Sequence, residues 1–153
     1  MAAENTRRIF TIGHSRHPWE MFLEMLQAAG ITALVDVRSF PRSRFAPWAN
    51  RARLETASSE AGITYHFFGD ALGGRPAGKH FYDPAGNLDY ERVRQEKFYR
   101  DGIVRLAELV AGQEAVCLMC SEEDPARCHR TLLLAPQLFE RGLEVVHLRA
   151  GRK

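Results

Sequence analysis

Three stretches of the chain carry the residue types that enzymes use to bind anions and to move protons. Imidazoles, a thiol, carboxylates and guanidinium groups occur in short polar runs that each follow an apolar run. Such groups serve as general acids or bases, as nucleophiles and as anion ligands. We predict catalytic roles for His14, Cys120, Glu122 and His129, and binding roles for Gly13, Ser15, Asp36, Arg38, Ser43 and Arg130.

Cys120 is the candidate nucleophile. It ends an apolar run and precedes a polar loop, where we expect the thiol to be exposed at the mouth of a pocket. A helix that begins near Pro125 would favour the thiolate through its dipole and amides, and His14 or His129 can act as the base. The alternative is that Cys120 is a small buried apolar residue, the commonest role of such a cysteine. Cys117 is predicted to pack in the core.

The acidic loop after Cys120 affects this chemistry. Glu122, Glu123 and Asp124 disfavour a thiolate unless they turn outward or pair with arginines. Glu122 is the candidate general acid or base, or a carboxylate that binds hydroxyl groups. Glu123 and Asp124 are predicted to be solvated.

The run from Cys128 to Arg130 is predicted to lie in the first turns of the last helix. Neighbouring helical residues point ~100° apart, so all three side chains cannot face one ligand. We therefore expect His129 or Arg130 to face the site and Cys128 to pack. A metal site of Cys120, Cys128, His129 and His14 is the weaker alternative, because their spacing is not a recognised zinc pattern, and we predict no metal ligands.

Asp36 and Arg38 are alternate residues at the end of an apolar run, so their side chains lie on the same side of a strand. Asp36 can orient Arg38 by a charged hydrogen bond, and Arg38 then suits a phosphate or a carboxylate. The alternative is an ion pair that only closes the sheet. Ser43 lies in the loop beyond and can add a contact, while Gly13 and Ser15 let the backbone approach an anion closely.

The composition is that of an ordinary globular protein, and residues 1–153 are predicted to form one domain. The net charge of +2 does not by itself indicate a nucleic-acid partner. No apolar run approaches the ~20 residues that a membrane span needs, and the first residues lack the apolar core of a secretory signal. We therefore expect no membrane partner and a cytoplasmic location. Three cysteines in such a chain indicate thiols instead of a disulfide framework.

Strand-like and helix-like patterns alternate along the chain. The predicted strands are residues 9–12, 33–37, 63–68, 115–120 and 143–148, and the predicted helices follow Pro18 and cover 50–61, 90–111 and 125–141. We expect the third helix to break near Asp101 and Pro136 to kink the last one. Residues 69–87 contain five glycines and no regular pattern.

This alternation predicts an α/β fold with a mostly parallel five-stranded sheet and helices on both faces, in a Rossmann-like three-layer arrangement. We predict the strand order 3-2-1-4-5. Ligands of such sheets bind beyond the carboxyl ends of the strands. The three polar stretches follow three of the strands, so we expect His14, Arg38 and Cys120 to share one pocket.

Four ordered motifs resemble those of the family named domain of unknown function 488. They are residues 11–15 (TIGHS), residues 35–43 (VDVRS-x-P-x-S), residues 72–74 (LGG), and Cys120-x-Glu122 followed by Cys128-His129-Arg130. The resemblance extends from about Ile9 to Leu148. It implies an α/β fold and a shared polar site, and it implies no particular activity.

A second pattern is similar to the layout of rhodanese-type sulfurtransferases and, loosely, of cysteine-dependent phosphatases. Asp36 and Arg38 follow one strand, and Cys120 ends a later strand that leads into a helix. Those families close a tight loop of amides around an anion, with Gly or Ser inside the loop. Here residues 121–127 contain three acids and no glycine, and Arg127 stands seven residues after Cys120 where the phosphatase pattern needs six. We interpret this as a likeness of architecture, and a sulfurtransferase acting through Cys120 as the weakest alternative.

The first functional hypothesis is an enzyme that acts on a phosphate-bearing small molecule or a nucleotide-like group. Arg38 would bind the anion, and His14 and Glu122 would transfer protons. Cys120 would be a nucleophile or would line the site. The reaction stays open between hydrolysis and group transfer, and the residues identify no cofactor, substrate or oligomeric state.

The second hypothesis is a nucleic-acid-binding module that uses residues 37–54. This segment holds five arginines and no acid, with Phe40, Phe45 and Trp48 interleaved. Phosphate contacts from arginine and stacking on the aromatic rings would supply the affinity. The alternative for this segment is a loop whose aromatic residues anchor it to the core while its arginines stay solvated.

Overall fold

Five short apolar runs form the strands of one sheet in the computed structural model of the protein, which describes residues 7–122, 124, 128–129 and 133–150. The strands are β1 (Arg7–Gly13), β2 (Ala33–Asp36), β3 (Thr64–Phe67), β4 (Val116–Cys120) and β5 (Leu143–Leu148). The helices are α1 (Trp19–Ala28), α2 (Arg51–Glu60), α3 (Gly69–Leu72), α4 (Tyr90–Arg94), α5 (Lys97–Ala111) and α6 (Ala135–Glu140). Every strand pair is parallel.

The strands are arranged in the order β3-β2-β4-β1-β5, so the predicted order 3-2-1-4-5 is wrong. β4 lies between β2 and β1. The reason is its composition: all five residues from Val116 to Cys120 are apolar or sulfur-containing, and all are buried. Such a strand belongs at the centre of a parallel sheet. β1 begins with Arg7 and Arg8, which are exposed, and Arg8 pairs with Glu144 of the edge strand β5 at 2.8 Å.

Alternate residues of the central strands face two separate cores. Leu118 and Cys120 face the core that contains residues of α3, α4, α5 and α6. Cys117 and Met119 point the other way, into the core formed with α1 and α2. The α/β class and the three-layer arrangement are therefore confirmed. Cys117 packs in the core, as predicted.

Three details of the helices differ from the prediction. The helix expected over 90–111 breaks between α4 and α5, and α5 runs through Asp101 without a break. Gly102 instead allows close packing, because an added Cβ would lie 2.9 Å from the Cβ of Ala71. The stretch 69–87 is partly regular, since it contains α3 and a 3-10 turn at Lys79–Phe81.

Pro136 is the second residue of α6, and the predicted kink at this proline stays a prediction because residues 130–132 lie outside the described part of the chain. Residues 133–134, just before α6, are π-helical. The helix was predicted from Pro125, but residues 125–127 and 130–132 lie outside the described part of the chain. Among the described helices, none is both long and apolar enough to cross a bilayer.

Candidate functional site

The candidate site lies where β1, β2 and β4 end side by side. Strand pairing continues for a residue or two beyond the strands, with N–H to O distances of 2.9 Å from His14 to Cys120 and 3.0 Å from Val37 to Met119. These bonds hold three loops together at the carboxyl edge of the sheet. They surround a pocket of about 640 Å³ that is lined by His14, Arg38 and Cys120 together.

Seven of the ten predicted site residues line this pocket: His14, Ser15, Arg38, Ser43, Cys120, Glu122 and His129. Gly13 and Asp36 are buried behind the lining. Arg130 lies outside the described residues. The structure thus brings most of these side chains together, and a catalytic or binding role for each of them stays a prediction.

Asp36 holds Arg38 through a two-pronged ion pair that is buried on both sides. Arg38 Nε donates to Asp36 Oδ1 at 2.8 Å, and Nη2 donates to Oδ2 at 2.7 Å. The Tyr65 hydroxyl donates to the same carboxylate at 2.6 Å, and Nη2 also donates to the Ala49 carbonyl at 2.7 Å. Burial, together with the Asp36 charge, holds the pKa of Tyr65 well above its usual range. Asp36 therefore fixes the orientation of the guanidinium.

Arg38 keeps one buried donor unused. Its Nη1 has no hydrogen-bond partner among the described residues, although the side chain is 3% exposed. Buried polar groups in proteins are nearly always hydrogen-bonded, and the exceptions are often functional or bound to water or a ligand. Arg38 also lines the pocket.

His14 presents the complementary group. Its Nδ1 lies 2.9 Å from the Ser15 carbonyl, which can only accept, so Nδ1 carries the proton and Nε2 has the lone pair. Nε2 is buried and has no partner within the part of the chain that the structure describes. Burial lowers the pKa of His14 to about 4, and the charge of Arg38 adds to this effect. His14 is therefore a neutral hydrogen-bond acceptor at neutral pH.

The thiol of Cys120 is buried, not exposed at the mouth of the pocket as expected. Its side chain lines the pocket, but the residue is 2% exposed because it ends the central strand. Its Sγ donates to the Glu122 carbonyl at 3.6 Å. The helix terminus that was expected to favour a thiolate, near Pro125, is outside the described residues, as is much of the loop that rhodanese-like chemistry would use.

Cys128 both packs in the core and lines the pocket, whereas we expected it only to pack. Its Sγ donates to the sulfur of Cys120 across 2.7 Å. The neighbouring His129 faces the pocket, and its Nε2 lies 3.0 Å from the Val37 carbonyl. Gly74 leaves room for this ring, because an added Cβ would lie 2.9 Å from His129 Cγ.

Ser43 and Ser15 shape the loops around the pocket. The Ser43 hydroxyl accepts from the amides of Phe45 and Ala46 at 3.2 and 3.1 Å, so it closes a turn. Asn50 holds the same turn, because its side chain accepts from the Ser43 amide and does not cap α2. Ser15 has a φ of 45°, in the left-handed region that residues other than glycine seldom adopt.

Sequence reasoning missed three residues that line the pocket: Arg16, Arg75 and Tyr90. Arg16 lies with its guanidinium 4.3 Å from the centre of the Phe45 ring. Arg75 follows the glycine pair, and its amide donates to the Ser39 hydroxyl at 2.9 Å. The Gly73-Gly74 pair is the sequence feature that could have indicated Arg75. Glycines let two loops approach closely, and this approach brings the side chain that follows them to the pocket.

The pocket is rich in positive charge. Four arginines line it: Arg16, Arg38, Arg42 and Arg75. Glu122 is the sole acid among the described lining residues. No group of three or more His, Cys, Asp or Glu side chains in the described ranges is arranged to hold a metal ion.

The arginine-rich segment 37–54 divides into an anchored and an exposed part. Trp48 packs against Trp19 and Phe22, and its Nε1 donates to the His17 carbonyl at 2.9 Å. Phe40 and Phe45 are instead 58% and 62% exposed, and both line the pocket. Trp48 is thus a core anchor, and the two phenylalanines remain accessible to a ligand.

The chain belongs to the family described as domain of unknown function DUF488, whose model matches residues 18–135. The predicted membership is confirmed. The match includes Asp36, Arg38, Cys120 and the Gly73-Gly74 pair, while His14 lies before it. Neither a curated protein nor a solved structure gives a significant match to the chain.

Proposed function

We propose that the protein is an enzyme that binds a phosphate-bearing small molecule in this pocket and acts on it by hydrolysis or group transfer. The observation that carries the proposal is a pair of buried atoms, Arg38 Nη1 and His14 Nε2, which belong to residues of one pocket and have no hydrogen-bond partner among the described residues. One is a cationic donor and the other is a neutral acceptor. A phosphate oxygen and a hydroxyl or water would satisfy both.

The charges of the lining support an anionic ligand. Arg38 is held rigidly by Asp36, so it loses little side-chain freedom when it binds. Arg16, Arg42 and Arg75 add positive charge around the same space. Charge-assisted hydrogen bonds from arginine to phosphate are stronger than neutral ones.

Proton transfer is assigned to His14. Because burial lowers the pKa of His14 to about 4, the ring is neutral at pH 7 and its Nε2 can accept a proton from a bound water or hydroxyl. Glu122 is exposed at the pocket and serves as the second group that exchanges protons. Cys120 lines the pocket and is either the nucleophile or part of its wall.

Ligand binding is tested with inorganic phosphate and AMP by calorimetry on matched arginine variants. Arg42 and Arg44 are both exposed in one loop, but only Arg42 is among the lining residues. We expect Arg42→Ala to weaken binding about tenfold and Arg44→Ala to leave it unchanged. Equal effects of the two substitutions, or no binding of either ligand to the folded protein, would contradict the proposal.

Turnover is tested by release of phosphate or base from a panel of phosphomonoesters and nucleotides. His14→Gln should lower the rate by roughly 10²-fold or more while AMP still binds, because the base is lost and the arginines remain. His80→Gln, an exposed histidine away from the pocket, is the control. A His14→Gln protein with full activity would remove His14 from the chemistry.

Binding of single-stranded nucleic acid is the second candidate function, favoured by the exposure of Phe40 and Phe45 beside Arg42. Bases stack on such rings, and arginines that neutralise the phosphates of the strand release its bound counterions. Affinity would then fall with salt at a log–log slope of about −0.7 per phosphate contact. Phe45→Ala would weaken it, whereas Phe139→Ala, exposed on α6, would not. A slope near zero would exclude this function.

A further inference from the structure

We propose that Cys120 and Cys128 form a redox-active dithiol that reduces a hydroperoxide and closes reversibly to a disulfide. The two Sγ atoms lie 2.7 Å apart, and both side chains line the pocket. All three cysteines of the chain are thiols in the structure. The proposal does not depend on a phosphate-bearing ligand, because it uses only the two sulfurs and their immediate supports.

Described contacts anchor the residues next to each sulfur. Cys120 is the last residue of the central strand, opposite Gly13 in the ladder, and its carbonyl accepts from the His14 amide at 2.9 Å. Cys128 is fixed through its neighbour His129, which bonds to the Val37 carbonyl and packs against Gly74. Formation of an S–S bond of ~2.05 Å therefore needs only a small movement of two prepositioned groups.

His129 is positioned to take the proton from Cys128. The Val37 carbonyl can only accept, so His129 Nε2 carries a proton and Nδ1 has the lone pair. This Nδ1 lies 3.7 Å from Cys128 Sγ. In the resting structure the thiol of Cys128 donates to the sulfur of Cys120, and Cys120 donates to the Glu122 carbonyl, so both sulfurs carry their protons before the oxidant binds.

The reaction has two steps. Cys120 gives up its thiol proton as its sulfur attacks one oxygen of the hydroperoxide, so an S–O bond forms, the O–O bond breaks, and the leaving oxyanion takes that proton to become water or an alcohol. Cys128 then passes its proton to His129 and attacks the sulfenic sulfur of Cys120. The S–S bond forms, and hydroxide leaves as water with that proton. Two electrons pass from the thiols to the peroxide, and an external dithiol restores both thiols by exchange.

Cys117 is an internal control that the chain provides. It lies three residues before Cys120 but faces the opposite core, between the sheet and helices α1 and α2, and it does not line the pocket. It is fully buried. A small oxidant that enters through the pocket therefore reaches Cys120 and Cys128 and does not reach Cys117.

The test treats the fully reduced protein with one equivalent of hydrogen peroxide, then unfolds it with an alkylating reagent and maps the peptides by mass. We expect two of the three thiols to be lost and a peptide that links Cys120 to Cys128. Dithiothreitol should restore both thiols, and Cys117→Ser should behave like the unmodified chain. Loss of Cys117 at the same rate as the others, or absence of the linked peptide from folded protein, would overturn the proposal.

Two further variants separate the steps, with dimedone as the probe for sulfenic acid. Cys128→Ser should give dimedone-labelled Cys120 and no intramolecular link. His129→Gln should let labelled Cys120 accumulate several-fold, because the second step loses its proton acceptor. A structural role alone would not produce this change in the intermediate. Unlabelled Cys120 in the Cys128→Ser protein would assign the first oxidation elsewhere and would also overturn the proposal.

Discussion

The Arg38 side chain donates two hydrogen bonds to Asp36, from Nε at 2.8 Å and from Nη2 at 2.7 Å, while its Nη1 has no partner among the described residues. The same pair can thus serve the two roles considered for it. It joins the end of β2 to the loop that follows, and its Nη1 is the donor that we propose for the ligand. Both groups are buried, so removal of either one leaves the other as an uncompensated charge.

We expect Arg38→Lys to lower the free energy of unfolding by about 3 kcal/mol, measured by urea denaturation. An ammonium group keeps the charge but cannot pair with the carboxylate at two points. Arg53→Lys, on the exposed side of α2, is the control and should change stability by less than ~0.5 kcal/mol. Similar values for the two variants would mean that the buried pair contributes nothing to the fold.

The stability of the protein should depend on pH through His14. Its pKa is about 4 in the folded state against 6.5 as the ordinary value, so protons bind preferentially to the unfolded chain. The contribution of neutral His14 is complete above pH 6.5 and is lost as the pH falls from 6.5 toward 4. The loss is on the order of 3 kcal/mol.

Urea denaturation of the wild type and of His14→Gln at several pH values between 4 and 7 measures this effect. The variant should lose most of the slope of stability against pH in that interval, and His80→Gln should keep it. A slope that survives in His14→Gln would assign the pH dependence to other groups, such as His66, whose pKa is also lowered by burial.

We expect Gly73→Ala to destabilise the protein by about 2 kcal/mol, because the new methyl group would have no space. The added Cβ would lie 2.1 Å from Ser39 Oγ and 2.4 Å from the Gly69 carbonyl oxygen. Gly112→Ala is the matched control, since its Cβ would approach no atom closer than 3.4 Å. Urea denaturation of both variants decides the point, and equal stability would show that the loop relaxes freely.

Phosphate should protect two thiols of the three from alkylation. An anion bound by Arg38 would occupy the space through which a reagent reaches Cys120 and Cys128, and it would not affect Cys117 in the other core. A labelling time course with and without phosphate, resolved by peptide mass, measures this protection. Protection of all three cysteines would indicate global stabilisation of the fold instead of a ligand in the pocket.

The positions of most elements could be predicted from the sequence because apolar runs and glycines mark them locally. The order of the strands could not, since it depends on which runs pair across more than a hundred residues, as Phe10 and Cys117 do. This explains the error about Cys120. A residue that ends an apolar run is exposed on an edge strand but buried on a central one, and only the pairing distinguishes these cases.

The site residues were predicted to different extents for a related reason. His14, Arg38 and Cys120 each lie at or just after the end of a strand. In a parallel sheet these ends share one edge, so the sequence pattern is enough to predict that the three residues lie close together. Arg16 and Arg75 reach the pocket through loops that carry no periodic pattern. Their placement depends on contacts such as the bond from the Arg75 amide to Ser39, which no local sequence feature specifies.

The position of β4 between β1 and β2 has a consequence for the order in which the protein folds. β1, β2 and β3 precede β4 in the chain and are therefore synthesised first. β1 and β2 are not neighbours in the sheet, and the position between them is filled only when β4 pairs with both. Pairings over such separations carry a large loop-closure entropy and form slowly. Since His14 and Arg38 follow β1 and β2 and Cys120 ends β4, the pocket is complete only after β4 has paired with both strands, and a ligand that binds it favours chains in which this pairing has formed.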